Sequence, residues 1–176
     1  MELSSAMKSR RSIRAYKNME IEEKVIIDLV KDAQLAPSWK NSQTARYYVA
    51  HSKEMRQGLL NCLHDFNKER TANASAFIVT TVVHGISGYS SSGRETHLGN
   101  GFECFDNGLA VQNLLLSATE KGLGSLVMGL YNEQAIRELF GIPETENIVV
   151  VLALGYADIS PDMPERKDIG QILTIK

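Results

Sequence analysis

Cysteine is nearly absent: Cys62 and Cys104 are the only two in 176 residues. Two thiols build no disulfide scaffold, and their separation matches no zinc-binding spacing. Charge of one sign is lacking as well. Against 19 Lys and Arg stand 21 Asp and Glu, a formal charge of −2, so no net positive field draws nucleic acid or an anionic membrane. Long apolar runs are missing; Ile148–Leu154 falls far short of the roughly 20 residues a membrane helix needs. The opening Met-Glu-Leu-Ser-Ser has no signal-peptide apolar stretch. Asn73-Ala74-Ser75 fits a glycosylation triplet, but with no secretion signal it is taken as chance. The expectation is a soluble, cytoplasmic protein in a reducing compartment, with neither nucleic acid nor membrane as partner.

The familiar catalytic constellations are missing too. His51, His64, His84 and His97 are scattered and form no HExxH, and there is no Walker A loop. Gly122-Leu123-Gly124 opens like a dinucleotide fingerprint, yet it lacks the third glycine and follows a helical stretch. Gly88-Tyr89-Ser90-Ser91-Ser92-Gly93 carries one residue too many for a nucleophile elbow. No metal site and no nucleophilic triad are expected.

What is present suits one globular domain over residues 1–176. Hydrophobic residues make up 43% and charged residues 23%. At 19.5 kDa the chain should expose roughly 28,000 Å² unfolded and roughly 8,500 Å² folded. Helical periodicity predicts Leu3–Ser9, a second helix ending at Ala36 before Pro37, Lys53–Asn67, Phe102–Lys121 and Asn132–Phe140. Strands are predicted at Tyr47–Ala50, Ala76–Val83, Ser125–Met128 and Ile148–Leu154. Gly85–Gly101, with five glycines and no period, reads as a long loop. The tail after Gly155 carries Pro161 and Pro164 and is too polar for core before Ile169, Ile172 and Leu173. Alternating helices and strands predict an α/β layer architecture around one sheet.

Three segments point to chemistry. Lys8–Lys17 packs five cations into ten residues of an otherwise acidic chain. It reads either as a solvated connector or as an anion site, since guanidinium forks and a serine hydroxyl suit phosphate oxygens. Ala36-Pro37-Ser38-Trp39-Lys40-Asn41-Ser42-Gln43 presents polar side chains on a loop, which is either turn chemistry or a ligand contact. Gly122–Gly129 is either an ordinary helix-to-strand link or strand backbone laid close to a flat ligand.

In order and spacing, these segments resemble the nitroreductase superfamily of FMN-dependent oxidoreductases. The resemblance runs from about Leu3 to Ile175. It rests on Arg10-Arg11-Ser12-Ile13-Arg14, on Ala36-Pro37-Ser38-x-x-Asn41-x-Gln43, and on the Asp106–Asn113 helix. Gly122–Gly129 followed by Glu133–Pro143, and Gly155-Tyr156 leading to Arg166-Lys167, complete it. The resemblance implies an α+β fold, a mixed central sheet flanked by helices, in an intertwined homodimer with a C-terminal arm. It implies non-covalent FMN at the dimer interface, NAD(P)H as co-substrate, and a small-molecule electron acceptor of nitroaromatic or quinone type. By position, Arg10, Arg11 and Ser12 look like phosphate and ribityl contacts, and Arg14 like the cation near flavin N1. Pro37, Ser38, Trp39 and Asn41 match the loop approaching the partner's flavin, and Val127, Met128 and Gly129 the stretch along the ring. Arg166 and Lys167 match the late basic pair closing on the phosphate. No side chain is expected to be an essential catalyst, because the flavin carries the chemistry and the protein binds and tunes it.

The sequence also departs from the family pattern. Thr44-Ala45-Arg46 follows Gln43 where many members have Pro and an aromatic residue, and Trp39 is bulky where small residues are common. Two rival readings stay open at this point: a flavin carrier or sensor without nicotinamide turnover, and a specialised flavin enzyme of the same fold.

Overall fold

Strand β2 (Ala76–Val83) and strand β6 (Glu146–Gly155) form the centre of the sheet. Their β-branched and aliphatic residues suit a surface covered on both faces. The structure, a computed structural model, describes residues 1–94 and 96–176. Flanking them are β1 (Ala45–Ala50) and β5 (Gly124–Met128), in the order β1-β2-β6-β5. All three pairings are antiparallel. The parallel component of the expected mixed sheet is a single bridge, Ser12 to Ser125, on the outer edge of β5. A bulge in β6 at Val149 shifts the register between Thr80 and Thr81.

Side-chain alternation along the strands divides the core in two. On one face Phe77, Val79, Val151, Ala153, Leu126 and Met128 meet α3 (Lys53–Cys62) and α6 (Glu133–Phe140) through Leu59, Leu60 and Ile136. On the other, Ala76, Ile78, Leu152 and Leu154 meet α2 (Glu23–Gln34) and α5 (Gly101–Glu120). There Ile26, Leu29, Leu114, Leu115 and Ala118 form the facing stripe. Each fully buried Leu on these stripes contributes about 1.5–3 kcal/mol. Local chemistry sets the helix ends. Ser52 and Asn132 accept from the Met55 and Ala135 amides, and Gly141 closes α6 in the left-handed region.

α1 (Leu3–Ser9) spans the expected residues. The helix expected over Lys53–Asn67 is instead two, α3 and α4 (Asp65–Thr71). Leu63 turns extended between them because its backbone pairs with Tyr131, a long-range bond that helical periodicity does not report. Gly85–Gly101 contains a small hairpin, β3 (Tyr89–Ser90) with β4 (Gly93–Arg94). The tail differs most. Ile169, Ile172 and Leu173 are exposed rather than in core, since no described part of the chain packs over them. The accessible surface is 10352 Å², against roughly 8,500 Å² for a globular chain of this mass.

Candidate functional site

The Arg10–Arg14 segment is laid along β5 by backbone and by close packing. The Ile13 amide donates to the Ser125 carbonyl at 2.9 Å. Gly124 allows this approach, because a Cβ there would stand 2.7 Å from Ile13 Cγ1. The second glycine of Gly122-Leu123-Gly124 is therefore a packing device. The Tyr16 hydroxyl, donating to the Ile13 carbonyl at 3.0 Å, anchors the segment's far end. Burial pushes that phenol far up, against a smaller downward pull from Arg14.

Among the described residues no carboxylate pairs with Arg10, Arg11 or Arg14. Arg11 Nη1 donates to the carbonyls of Lys8 (2.6 Å) and Arg10 (2.9 Å), while its buried Nε has no partner. Arg14 donates to the Ser12 carbonyl at 3.2 Å. Beside them β5 buries Met128, exposes 44% of Val127 and ends at exposed Gly129. The sequence segments around Arg10 and Val127 are thus neighbours in space.

Pro37, Ser38, Trp39 and Asn41 stand elsewhere, on the loop entering β1, the opposite edge of the sheet. Three interstrand steps, roughly 14 Å, separate β1 from β5. The loop borders a cavity of about 550 Å³ lined by Pro37, Ser38, Ser42, Thr44, Tyr47 and Asp106 among others. Its backbone is strained: Lys40, Asn41 and Gln43 all have positive φ, at 48°, 55° and 49°. Non-glycine residues hold that conformation only where their surroundings fix it, and functional sites are where such strain gathers. Here the Ser38 hydroxyl accepts from the Gln43 amide at 3.0 Å. The Trp39 indole donates to the Tyr89 carbonyl at 3.3 Å and lies 4.8 Å from the Phe102 ring.

Sequence reasoning named no role for Asp106 or Ser87. The Asp106 carboxyl accepts from the Trp39 amide at 2.9 Å and the Ser87 hydroxyl at 2.6 Å. The available signal was a run of polar residues, Asp106-Asn107, in a helix otherwise packed by Leu, Val and Ala. A second cluster was also missed. Buried Glu103 accepts from the Gly85 amide at 2.7 Å and lies beside His84 and Asn147, fixing the base of the hairpin loop. Arg166 and Lys167 remain exposed on the tail. Arg166 donates to the Pro164 carbonyl, and no hydrogen bond among the described residues joins either cation to the Arg10–Arg14 cluster. Among the described residues no helix is long and apolar enough to cross a membrane, and no group of His, Cys, Asp and Glu is arranged to hold a metal.

The chain is similar to proteins already known. An Archaeoglobus fulgidus protein named for NADH dehydrogenase and NAD(P)H nitroreductase is 33% identical over 91% of this chain and 88% of its own length. One with the same name from Methanothermobacter thermautotrophicus is 30% identical over 98% of this chain and 86% of its own. An Exiguobacterium sibiricum protein, described as a nitroreductase and solved in complex with FMN, superposes with a TM-score of 0.86. It is 24% identical and covers 100% of this chain and 98% of its own, a likeness of fold. Residues 7–156 match the Nitroreductase family, and the chain belongs to that family.

Proposed function

We propose that the protein is an FMN-dependent oxidoreductase that draws hydride from NAD(P)H and delivers it to a small electrophilic acceptor of nitroaromatic or quinone type. The observation that carries this reading is the cationic cluster pinned against β5, without a counter-ion among the described residues and with the Arg11 Nε buried and unpartnered. Guanidinium groups in that state fit a phosphate-bearing ligand, whose oxygens supply the missing acceptors. The exposed end of β5 beside them fits a flat ring. The relatives' names and the FMN-bound neighbour point the same way.

FMN, when bound, supplies the hydride chemistry; the chain's residues bind and orient it. Arg10, Arg11 and Ser12 would hold the phosphate and ribityl end, and Arg14 would set positive charge at the ring's N1 side. Val127, Met128 and Gly129 would line the ring. Pro37, Ser38, Trp39 and Asn41 would come from a second copy, since their loop lies at the far edge of the sheet from Arg10. Arg166 and Lys167 would close on the phosphate once the tail is docked. The excess surface and the exposed apolar tail support a homodimer whose C-terminal arm lies on its partner.

An aromatic wall supports the acceptor class. Phe102 stands 4.8 Å from Trp39 and 5.7 Å from Phe105, which is 54% exposed. Offset ring stacking there would favour planar aromatic acceptors. Anaerobic stopped-flow tests the reading: NADH or NADPH should bleach bound flavin, and menadione or nitrobenzoate should restore its colour. Flavin reducible by dithionite but by neither nicotinamide would make the protein a carrier instead.

A further inference from the structure

We propose that Asp106 is the positioning residue of the 38–44 loop, holding it in the one shape that presents Ser38 and Asn41 to a flavin. This rests on the flavin reading above. The loop needs an external clamp, because three non-glycine residues within it sit in left-handed backbone. Within the loop, the Ser38 hydroxyl accepts from the Gln43 amide.

Asp106 supplies the clamp from α5 through a single oxygen. Oδ2 accepts from the Trp39 amide, at the start of the strained stretch, and from the Ser87 hydroxyl. With its proton given to Asp106, the Ser87 oxygen is left to accept. Ser42 Oγ stands 3.2 Å from it and Thr44 Oγ1 3.4 Å, so both donate toward Ser87. Both ends of the loop therefore hang on one carboxyl oxygen. Asp106, Ser87 and Thr44 are 5%, 0% and 2% exposed, so bulk water does not replace a lost partner. The same network ties the loop to the hairpin segment, through Ser87 and through the Trp39 indole on Tyr89.

The test compares FMN affinity, read by flavin fluorescence, in wild type, Asp106→Ala, Asp106→Asn and Arg10→Ala, with circular dichroism and the apo Trp39 emission alongside. Asp106→Ala should keep the wild-type dichroism, shift the Trp39 emission and weaken FMN at least about tenfold. Asp106→Asn keeps an oxygen acceptor and should restore affinity to within about threefold of wild type. An alanine variant that binds like wild type, or an asparagine variant as weak as alanine, overturns the inference. If Asp106→Ala does not fold, Ser87→Ala is the substitute; it should weaken FMN several-fold, and an unchanged affinity overturns the clamp. The two readings fail differently. A wild-type chain that takes up no FMN sinks the flavin reading itself, whereas weakening by Arg10→Ala without weakening by Asp106→Ala sinks only the role of Asp106.

Discussion

Gly124→Ala should damage cofactor binding from a position that touches no ligand. The new Cβ would lie 2.7 Å from Ile13 Cγ1, 3.1 Å from its Cβ and 3.2 Å from its Cγ2. Ile13 is β-branched, stiff at χ1 and 6% exposed in the core, so it cannot swing aside; backbone must shift. Overpacking of this kind costs about 1–3 kcal/mol, equivalent to roughly 2–12 °C in Tm for a chain of this size. The shift also opens the Ile13–Ser125 hydrogen bond and moves Arg10, Arg11 and Arg14 off β5. FMN affinity should therefore fall by about tenfold or more, the equivalent of one charge-assisted contact. The assay is a double-mutant cycle with Ile13→Ala, read by urea denaturation and FMN titration. Ile13→Ala alone costs about 2–5 kcal/mol, but it removes the clashing Cγ atoms, so the double variant should be more stable than the sum by about 1–2 kcal/mol. Additivity within about 0.5 kcal/mol, or Gly124→Ala with wild-type FMN affinity, would refute the reasoning.

Arg10→Ala should weaken FMN by about tenfold to over a hundredfold, from a lost charge-assisted bond of about 1.5–3 kcal/mol, as fluorescence titration would show. Trp39 emission should be strongly quenched in the FMN-bound protein and recover when flavin is removed without unfolding the protein; equal emission in both forms would place Trp39 away from the ring. Deleting residues 158–176, which carry the exposed Ile169, Ile172 and Leu173, should convert a dimer to a monomer in sedimentation and release FMN. The Arg56 hydrogen bond holds the Glu20 carboxyl below its usual range. Its contribution is therefore present above about pH 4.5 and lost as pH falls through the folded value. Because Glu20 is exposed, Glu20→Gln should cost under about 1 kcal/mol at pH 7 and nothing once wild type is protonated, as urea melts at the two pH values would report.

Local patterns made much of the fold legible. The β-branched run of Ala76–Val83 and the helical phase of Val25–Ala33 each answer to one buried surface, and periodicity reports such surfaces. Long-range pairing was not legible. Leu63 breaks a continuous helical pattern because Tyr131 pairs with its backbone, and nothing near Leu63 announces that partner. Neither was the purpose of Gly124, which is set by the approach of Ile13, nor the acceptor role of Asp106, which depends on a hydroxyl and an amide from two distant loops. The tail shows the same limit from the other side. Its apolar residues Ile169, Ile172 and Leu173 look like core in sequence, yet they stand exposed in the structure. The candidate site was readable as a set of motifs, because each motif is contiguous. Its division between opposite sheet edges was visible only once strand order was known.

One absorbance experiment decides whether the chain is an FMN-dependent NAD(P)H oxidoreductase. Protein mixed with excess FMN is desalted, made anaerobic and titrated with NADH and, separately, NADPH. Flavin bands should be retained at one per chain and bleached by at least one of the two nicotinamides. Flavin that washes through the column, leaving colourless folded protein, would contradict FMN dependence.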